Sequence, residues 1–360
     1  MKTGILTYHN TRNCGALLQA YALQKTLFNL GIDNEIIDYH CAGIEEAYKI
    51  KSVREIQTLK EFVKWMLTVC TAKKSQKKFD VFKAQYLKLS KPYLRDTIIQ
   101  ANDSYDTFIT GSDQVWNFNL NGSDYTYMLD FAHDDKIKLS YAASMGSKSI
   151  GSENEKAFIN ALLRFQDISV REKPLKEYVD SILNIDSKLV LDPTLLLEKD
   201  DFNFDRSGRI VEQKYIFVYT VASTPNIEKA AKRLSKETGY PIVWGHMSYK
   251  KKKGVINKTD ISPDEFINYI KNAEYVLTSS FHGMALSIVL EKQFFYDLDT
   301  KKQNNNSRLE TLSEILDLEN QKIDITYFTS QAREKINYQQ LHLKLKKLKE
   351  QSILFLVDNK

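Results

Sequence analysis

The run Thr278-Ser279-Ser280-Phe281-His282-Gly283 concentrates residue types that do chemistry. A β-prone segment, Tyr275 to Leu277, ends just before it, and the pattern predicts a helix from Gly283 to Leu290. The first N–H groups of a helix have no intrahelical partner, so Ser280 and Gly283 at this point make an anion site. His282 stands at the same helix start, and an imidazole is the side chain that most naturally gives and takes protons near neutral pH. The run reads equally well as plain structure, with Ser280 capping the helix and His282 packed.

Other polar clusters follow strand-like runs. Asn13-Cys14-Gly15 precedes the first helix and is either a second anion site or a simple cap by Asn13, with His9 and Arg12 in the same loop. Gly111-Ser112-Asp113-Gln114-Val115-Trp116-Asn117 sets Asp, Gln and Asn, suited to sugar hydroxyls, beside an indole that can face a sugar ring or serve the core. Arg171, just after the strand Ile168–Val170, and Arg308, opening a helix after an Asn-rich loop, are each able to clamp a carboxylate or phosphate bidentately.

The elements that must position these residues alternate as strand and helix. Gly4 to Tyr8, a helix from Gly15 to Leu30 stopped by Gly31, and Glu35 to Tyr39 form one βαβ unit. Further strands are predicted at Tyr105–Thr110, Lys138–Ala143, Ile168–Arg171 and Lys188–Leu191, with a helix from Glu153 to Phe165 capped by Ser152. A second series begins near Tyr215. Its strands are Ile216–Val221, Pro241–Trp244, Tyr275–Leu277 and Gln293–Tyr296. Its helices are Asn226–Thr238, closed by Gly239, and one opened by the capping box of Ser262 and Glu265. The expected fold is α/β, with two Rossmann-like domains facing across a cleft. Residues 1–200 form the first domain, 201–330 the second, and 331–360 a C-terminal helix returning to the first. In such sheets ligands bind beyond the carboxyl ends of the strands, where the loops 9–14, 111–117, 144–147 and 278–283 fall.

Composition narrows the class. The chain has 360 residues, 42% hydrophobic and 27% charged, which excludes a disordered chain, a collagen or a coiled-coil rod. Cys14, Cys41 and Cys70 have neither metal-ligand nor disulfide spacing and suit a reducing compartment. No run of 18 apolar residues occurs, so the expectation is a cytoplasmic protein without a spanning helix. The patterns GxGxxG, Gx4GK[ST], GxSxG, HExxH and CxxC are absent, which removes the usual warrants for nucleotide hydrolysis, zinc hydrolysis and serine esterase chemistry.

The net charge of +5 is unevenly placed. Residues 49–95 hold 13 basic and three acidic residues, a local +10 that leaves −5 on the rest of the chain. Phe62, Val63, Trp65, Met66, Leu67 and Val69 lie among the lysines. The pattern predicts a basic amphipathic helix pair inserted after the first βαβ unit. It is either a solvated flank or a surface for anionic lipid head groups at the inner face of the cell membrane. Nucleic acid is not an expected partner, since the body is acidic and the aromatics do not alternate with the basic residues as stacking platforms.

Taken in order, LTYHNTRNCGALLQAYALQKTL, YDTFITGSDQVWN, SYAASMG, ISVREK, LDPTLLL, AEYVLTSSFHGMALSIVLEKQFF and NNNSRLETL resemble the polysaccharide pyruvyl transferase family over most of the chain. The resemblance implies a GT-B-like fold. It implies transfer of the enolpyruvyl group of phosphoenolpyruvate to two hydroxyls of a sugar, with phosphoenolpyruvate as donor substrate and no metal or other cofactor. The implied acceptor is a surface-glycan precursor such as an undecaprenyl-linked sugar. His282 matches the family's motif histidine and Arg171 a donor-contacting arginine, with Ser280, Gly283 and Arg308 at the donor and His9, Arg12, Asn13, Asp113, Gln114 and Trp116 at the acceptor or cleft. The chain departs from the family's Ser-Arg-Leu-His pattern: Ser280 stands where an arginine is expected, leaving Arg308, Arg12 or a lysine to supply that charge. Two other functions fit the same layout, a GT-B-like glycosyltransferase using a nucleotide sugar and a non-catalytic component of a glycan-assembly complex.

Overall fold

The computed structural model describes residues 1–146, 150–204, 208–221, 224–246, 251–301 and 306–359. Ser147 of the cleft loop 144–147 and most of the Asn-rich stretch before Arg308 lie outside these residues.

Apolar, β-prone runs bounded by turns build two parallel sheets. The first contains β1 (Lys2–Leu6), β2 (Asp33–Tyr39), β3 (Leu89–Tyr93), β4 (Thr107–Asp113), β5 (Ile137–Ala143), β6 (Asp167–Val170) and β7 (Lys188–Leu189), in the order 3-2-1-4-5-6-7. The second contains β8 (Ile216–Tyr219), β9 (Ile242–Gly245), β10 (Ile256–Lys258), β11 (Tyr275–Thr278) and β12 (Phe294–Tyr296), in the order 10-9-8-11-12. Each sheet runs outward from its first strand and then reverses, so each has a switch point: between β1 and β4, and between β8 and β11. The cores of both sheets are buried on two faces, as helical crossovers require.

One apolar cluster crosses from domain to domain. It joins Leu17, Leu18 and Leu23 of the helix Cys14–Asn29 to Phe217, Phe266, Phe281 and Met284 of the second domain. The helix Tyr338–Asp358 packs back on the first domain, where Ser352 Oγ accepts from Leu191 N at 3.0 Å and Phe355 meets the ring of Tyr141.

Several local expectations are corrected. Residues 111–113 belong to β4 rather than to a loop, because they pair on toward β5, Gly111 with Tyr141 and Asp113 with Ala143. The helix Ser152–Leu162 is capped by Gly151, one residue before the predicted cap. The basic segment is not a helix pair. Thr58 caps a single helix, Leu59–Tyr86, and nothing between those ends is Gly or Pro, so nothing breaks it. The end of the segment is β3, an edge strand whose Pro92 faces no further neighbour.

That long helix is anchored only in its second half. Phe79 and Phe82 are buried, while Leu59, Val63, Met66 and Leu67 are exposed. Lys78 bridges to Glu265 at 2.7 Å and Lys74 to Asp260 at 2.9 Å, both in the second domain. These two lysines therefore clasp the domains together and are not free for a membrane. Among the described residues no helix is long and apolar enough to cross a membrane.

Candidate active site

The site assembles where the two switch points meet. The helix Phe281–Val289 follows β11, and Ser280 caps it, its Oγ accepting from Gly283 N at 3.3 Å. Gly283 has to be glycine: a Cβ there would lie 2.3 Å from Thr278 Oγ1. Ser280 and Gly283 thus satisfy each other, and the N–H groups of Phe281 and His282 remain as the helix's orphan donors. The His282 ring faces the start of the helix Cys14–Asn29 across the domain boundary. A Cβ on Gly15 would come within 2.1 Å of His282 Nδ1, so the glycine of the first domain shapes the wall against which the ring rests.

On its other side His282 Nε2 lies 3.6 Å from Asp192 Oδ2. At that length the pair is an electrostatic contact rather than a hydrogen bond. Nε2 is buried and has no hydrogen-bond partner among the described residues. Asp192 follows β7 and is 1% exposed. Its Oδ1 accepts from Thr194 N at 3.0 Å and Thr194 Oγ1 at 2.7 Å, and its Oδ2 from Arg171 Nη1 at 2.5 Å and Ser112 Oγ at 3.1 Å. Burial opposes the charge of this carboxyl, but the neighbouring His282 and then Arg171 overcome it and hold Asp192 well below the usual carboxylate range.

Arg171 is 4% exposed and both its Nη atoms are engaged: Nη1 with Asp192, Nη2 with Asp113 Oδ1 at 3.4 Å. Its guanidinium lies 4.7 Å from the centroid of the Phe281 ring. Burial disfavours its charge, yet Asp192, Asp113 and Glu172 raise its pKa above the ordinary value. The residue is therefore the cation at the centre of a buried carboxylate cluster, not an open clamp. Arg308 is different. It is half-buried, and among the described residues it has no acid partner and its Nε no hydrogen-bond partner. Desolvation and the nearby charge of Arg171 push its pKa down. The Gln114 amide, turned so that its oxygen faces the guanidinium, lies 3.1 Å from both Nη atoms. Glu172, Asp113 and Asp192 act on Arg308 as well, but its guanidinium forms no ion pair with them among the described residues.

The structure thus brings together His282, Arg171, Arg308, Ser280, Gly283, Asp113 and Gln114. It takes others out of the site. Trp116 is completely buried, with the rings of Phe158 and Phe165 packed edge-on against it, so it offers no face to a sugar. His9 is 1% exposed and both ring nitrogens are occupied, Nδ1 by Thr7 O at 3.1 Å and Nε2 by Asp38 Oδ1 at 2.8 Å. Asn13 Oδ1 caps its helix by accepting from Gly15 N at 3.0 Å. Arg12 donates to Tyr48 O at 2.7 Å and Ala72 O at 3.3 Å, tying the loop to the basic segment. Gln114 serves Arg308 rather than an open hydroxyl pocket.

Asp192 and Glu172 escaped the sequence reading, and Gly15 entered it only as part of a possible anion site or cap. Glu172 Oε1 accepts from Ser144 Oγ at 2.8 Å, and its Oε2 is buried without a partner among the described residues. The available signal was position: Asp192 and Glu172 fall within three residues of the carboxyl ends of β7 and β6.

Two switch points facing each other, with a histidine and arginines between them, define an α/β protein of GT-B-like architecture. The UDP-GlcNAc 2-epimerase from Methanocaldococcus jannaschii has the same fold, with a TM-score of 0.51 at 13% identity over 94% of this chain and 93% of that one. A putative UDP-N-acetylglucosamine 2-epimerase from Listeria monocytogenes superposes with a TM-score of 0.49 at 10% identity over 98% and 90%. The Streptomyces sp. SF2575 glycosyltransferase SsfS6 bound to thymidine diphosphate gives 0.47 at 9% over the full length of both. No curated protein matches the sequence significantly. The family model for polysaccharide pyruvyl transferase matches residues 13–296, and the chain belongs to that family.

Proposed function

We propose that this transferase uses phosphoenolpyruvate to form a pyruvate ketal on a sugar of a cell-surface polysaccharide or its lipid-linked precursor. The observation that carries this reading is His282 Nε2: buried, without a hydrogen-bond partner among the described residues, at a helix start and beside an ionised Asp192. A proton on Nε2 faces that carboxylate at 3.6 Å and is not committed to another acceptor among the described residues. His282 delivers it to C3 of the enol phosphate, leaving cationic character at C2. A sugar hydroxyl forms the first bond to C2 and loses its proton to His282. The C2–O bond to phosphate then breaks, the second hydroxyl bonds to C2 and closes the ketal, and the departing phosphate carries off that hydroxyl's proton. One donor and two hydroxyls give one ketal and one phosphate, with no redox change.

Arg308 and the N–H groups of Phe281 and His282 are suited to the phosphate and carboxylate of the donor. Arg308 then supplies the charge that Ser280 lacks. Incubation with phosphoenolpyruvate and a panel of nitrophenyl and lipid-linked sugars should release phosphate and add one pyruvylidene group to an acceptor. Absence of release across the panel, with turnover of a nucleotide sugar instead, would overturn the reading.

The exposed Leu59, Val63, Met66 and Leu67 beside Lys60 and Lys64 suit a peripheral contact with an anionic membrane at which a lipid-linked acceptor is met. Reversing Lys60 and Lys73 should weaken sedimentation with anionic vesicles while Lys74 and Lys78 keep the domains clasped. Unchanged sedimentation makes this face a solvated flank.

A further inference from the structure

A cavity of about 670 Å³ lies apart from the cluster around His282. It lies between the basic helix Leu59–Tyr86 and the carboxyl ends of β8 and β9, and it is of the size that encloses a small organic ligand. Arg12, Lys51, Lys64 and Lys251 line it, and none of them has an acid partner among the described residues, whereas Glu61 is the one carboxylate in the wall. Lys51, Lys64 and Lys251 are exposed and Arg12 is half-buried, so the mouth of the cavity gathers positive charge that favours a polyanion.

Two buried nitrogens in the wall, Arg12 Nε and His246 Nδ1, have no hydrogen-bond partner among the described residues. His246 is 9% exposed, and its tautomer follows from its neighbour. Asn257 Nδ2 donates to Lys252 O and Val255 O, so Asn257 Oδ1 must accept from His246 Nε2 at 2.9 Å. In the neutral ring Nδ1 is then an acceptor, suited to a ligand hydroxyl. Apolar side chains, among them Trp65, Phe79 and Ile261, also line the cavity, and an inorganic anion alone would leave them uncovered.

We infer that this cavity is a binding site for an organic diphosphate ester, with the diphosphate among Lys51, Lys64, Lys251 and Arg12 and the organic part against Trp65. Cys14 lines the cavity while Gly15 packs on His282, so one turn of backbone separates this site from the proposed reaction centre. In its use the inference rests on the proposed function, since a diphosphate-linked acceptor held here would present its sugar toward His282. Its existence as a site is tested without turnover.

Isothermal titration calorimetry of the full chain with farnesyl diphosphate and with UDP separates the two sources of this chemistry, an isoprenoid and a nucleotide. One of them should bind more tightly than both inorganic pyrophosphate and farnesol. The double variant Lys64→Glu, Lys251→Glu should bind that ester at least about ten-fold more weakly. Its ligand-free melting temperature should be unchanged, which separates loss of the site from loss of the fold; Lys64→Ala with Lys251→Ala repeats the test should the reversal unfold the chain. Binding of neither ester, pyrophosphate binding as tightly as both, or equal affinity in the variants would each overturn the assignment. None of these outcomes depends on whether phosphoenolpyruvate is the donor.

Discussion

Arg171→Met should lower the free energy of unfolding by about 3–5 kcal/mol, the range for removing one partner of a buried charge network. Arg171 is the cation against which Asp192 and Asp113 are neutralised, and Asp192 is 1% exposed. Without the guanidinium, Asp192 keeps its bonds from Thr194 and Ser112 but loses its covalently fixed charge partner. His282 is then the nearest group able to answer that charge. Urea denaturation followed by fluorescence measures the loss. Arg171→Lys should recover only part of it, because an ammonium cannot bridge two carboxylates as the planar fork does. A loss below about 1 kcal/mol, the value for an exposed pair, would mean that the cluster is far more hydrated than its burial indicates.

His282→Ala should give the opposite separation of effects. Turnover should fall by about 10²–10⁴-fold, the usual contribution of a general acid–base group. Stability should fall by less than in Arg171→Met: the variant loses the charge that His282 sets beside Asp192, but His282 Nε2 makes no hydrogen bond among the described residues, and Asp192 keeps Arg171, Thr194 and Ser112. Phosphate release under saturating phosphoenolpyruvate and acceptor checks the first part, and a urea titration the second. If His282→Ala keeps full activity, the proton transfers belong to another residue. If it unfolds as readily as Arg171→Met, the ring is a structural element of the domain interface, held between Gly15 and Asp192.

The contrast between these variants follows from how the site is built. Arg171 and Asp192 both lie in the first domain, after β6 and β7, and their attraction is complete within it. His282 arrives from the second domain and adds a group that can change its proton. Arg308 also arrives from the second domain, at the start of the helix Ser307–Ile315, and takes its orientation from Gln114 of the first. The proposed chemistry therefore depends on the domain interface, which Lys74 and Lys78 and the shared apolar cluster hold.

Local rules made much of this legible in the sequence. The helix Pro225–Thr238 ends at Gly239 in the left-handed conformation, and the Ser262–Glu265 capping box is present, because caps and turns are settled within a few residues. The alternation of strand and helix was enough for two parallel sheets. It missed β3 and β10, short edge strands of five and three residues that carry too little apolar pattern to stand out. The reading of residues 49–95 as two helices failed for a related reason: charge and apolar content were recognised, but a break requires a breaker, and none lies inside Leu59–Tyr86.

Residue types and their places after strands named His282, Arg171 and Arg308 from the sequence alone. What each side chain does was decided by tertiary structure. Trp116 and Asp113 come from the same loop-like run, yet one is sealed in the core and the other meets Arg171, because neighbouring residues at a strand's end point to different layers. Asp192 became part of the site only when the fold set it between an arginine 21 positions earlier and a histidine of the other domain. The sequence by itself determined the elements and the ends of them where chemistry can sit. Only the packing of one sheet's switch point on the other decided which of these charged groups pair with each other and which do not, since burial and partner distance, not residue type, set that balance.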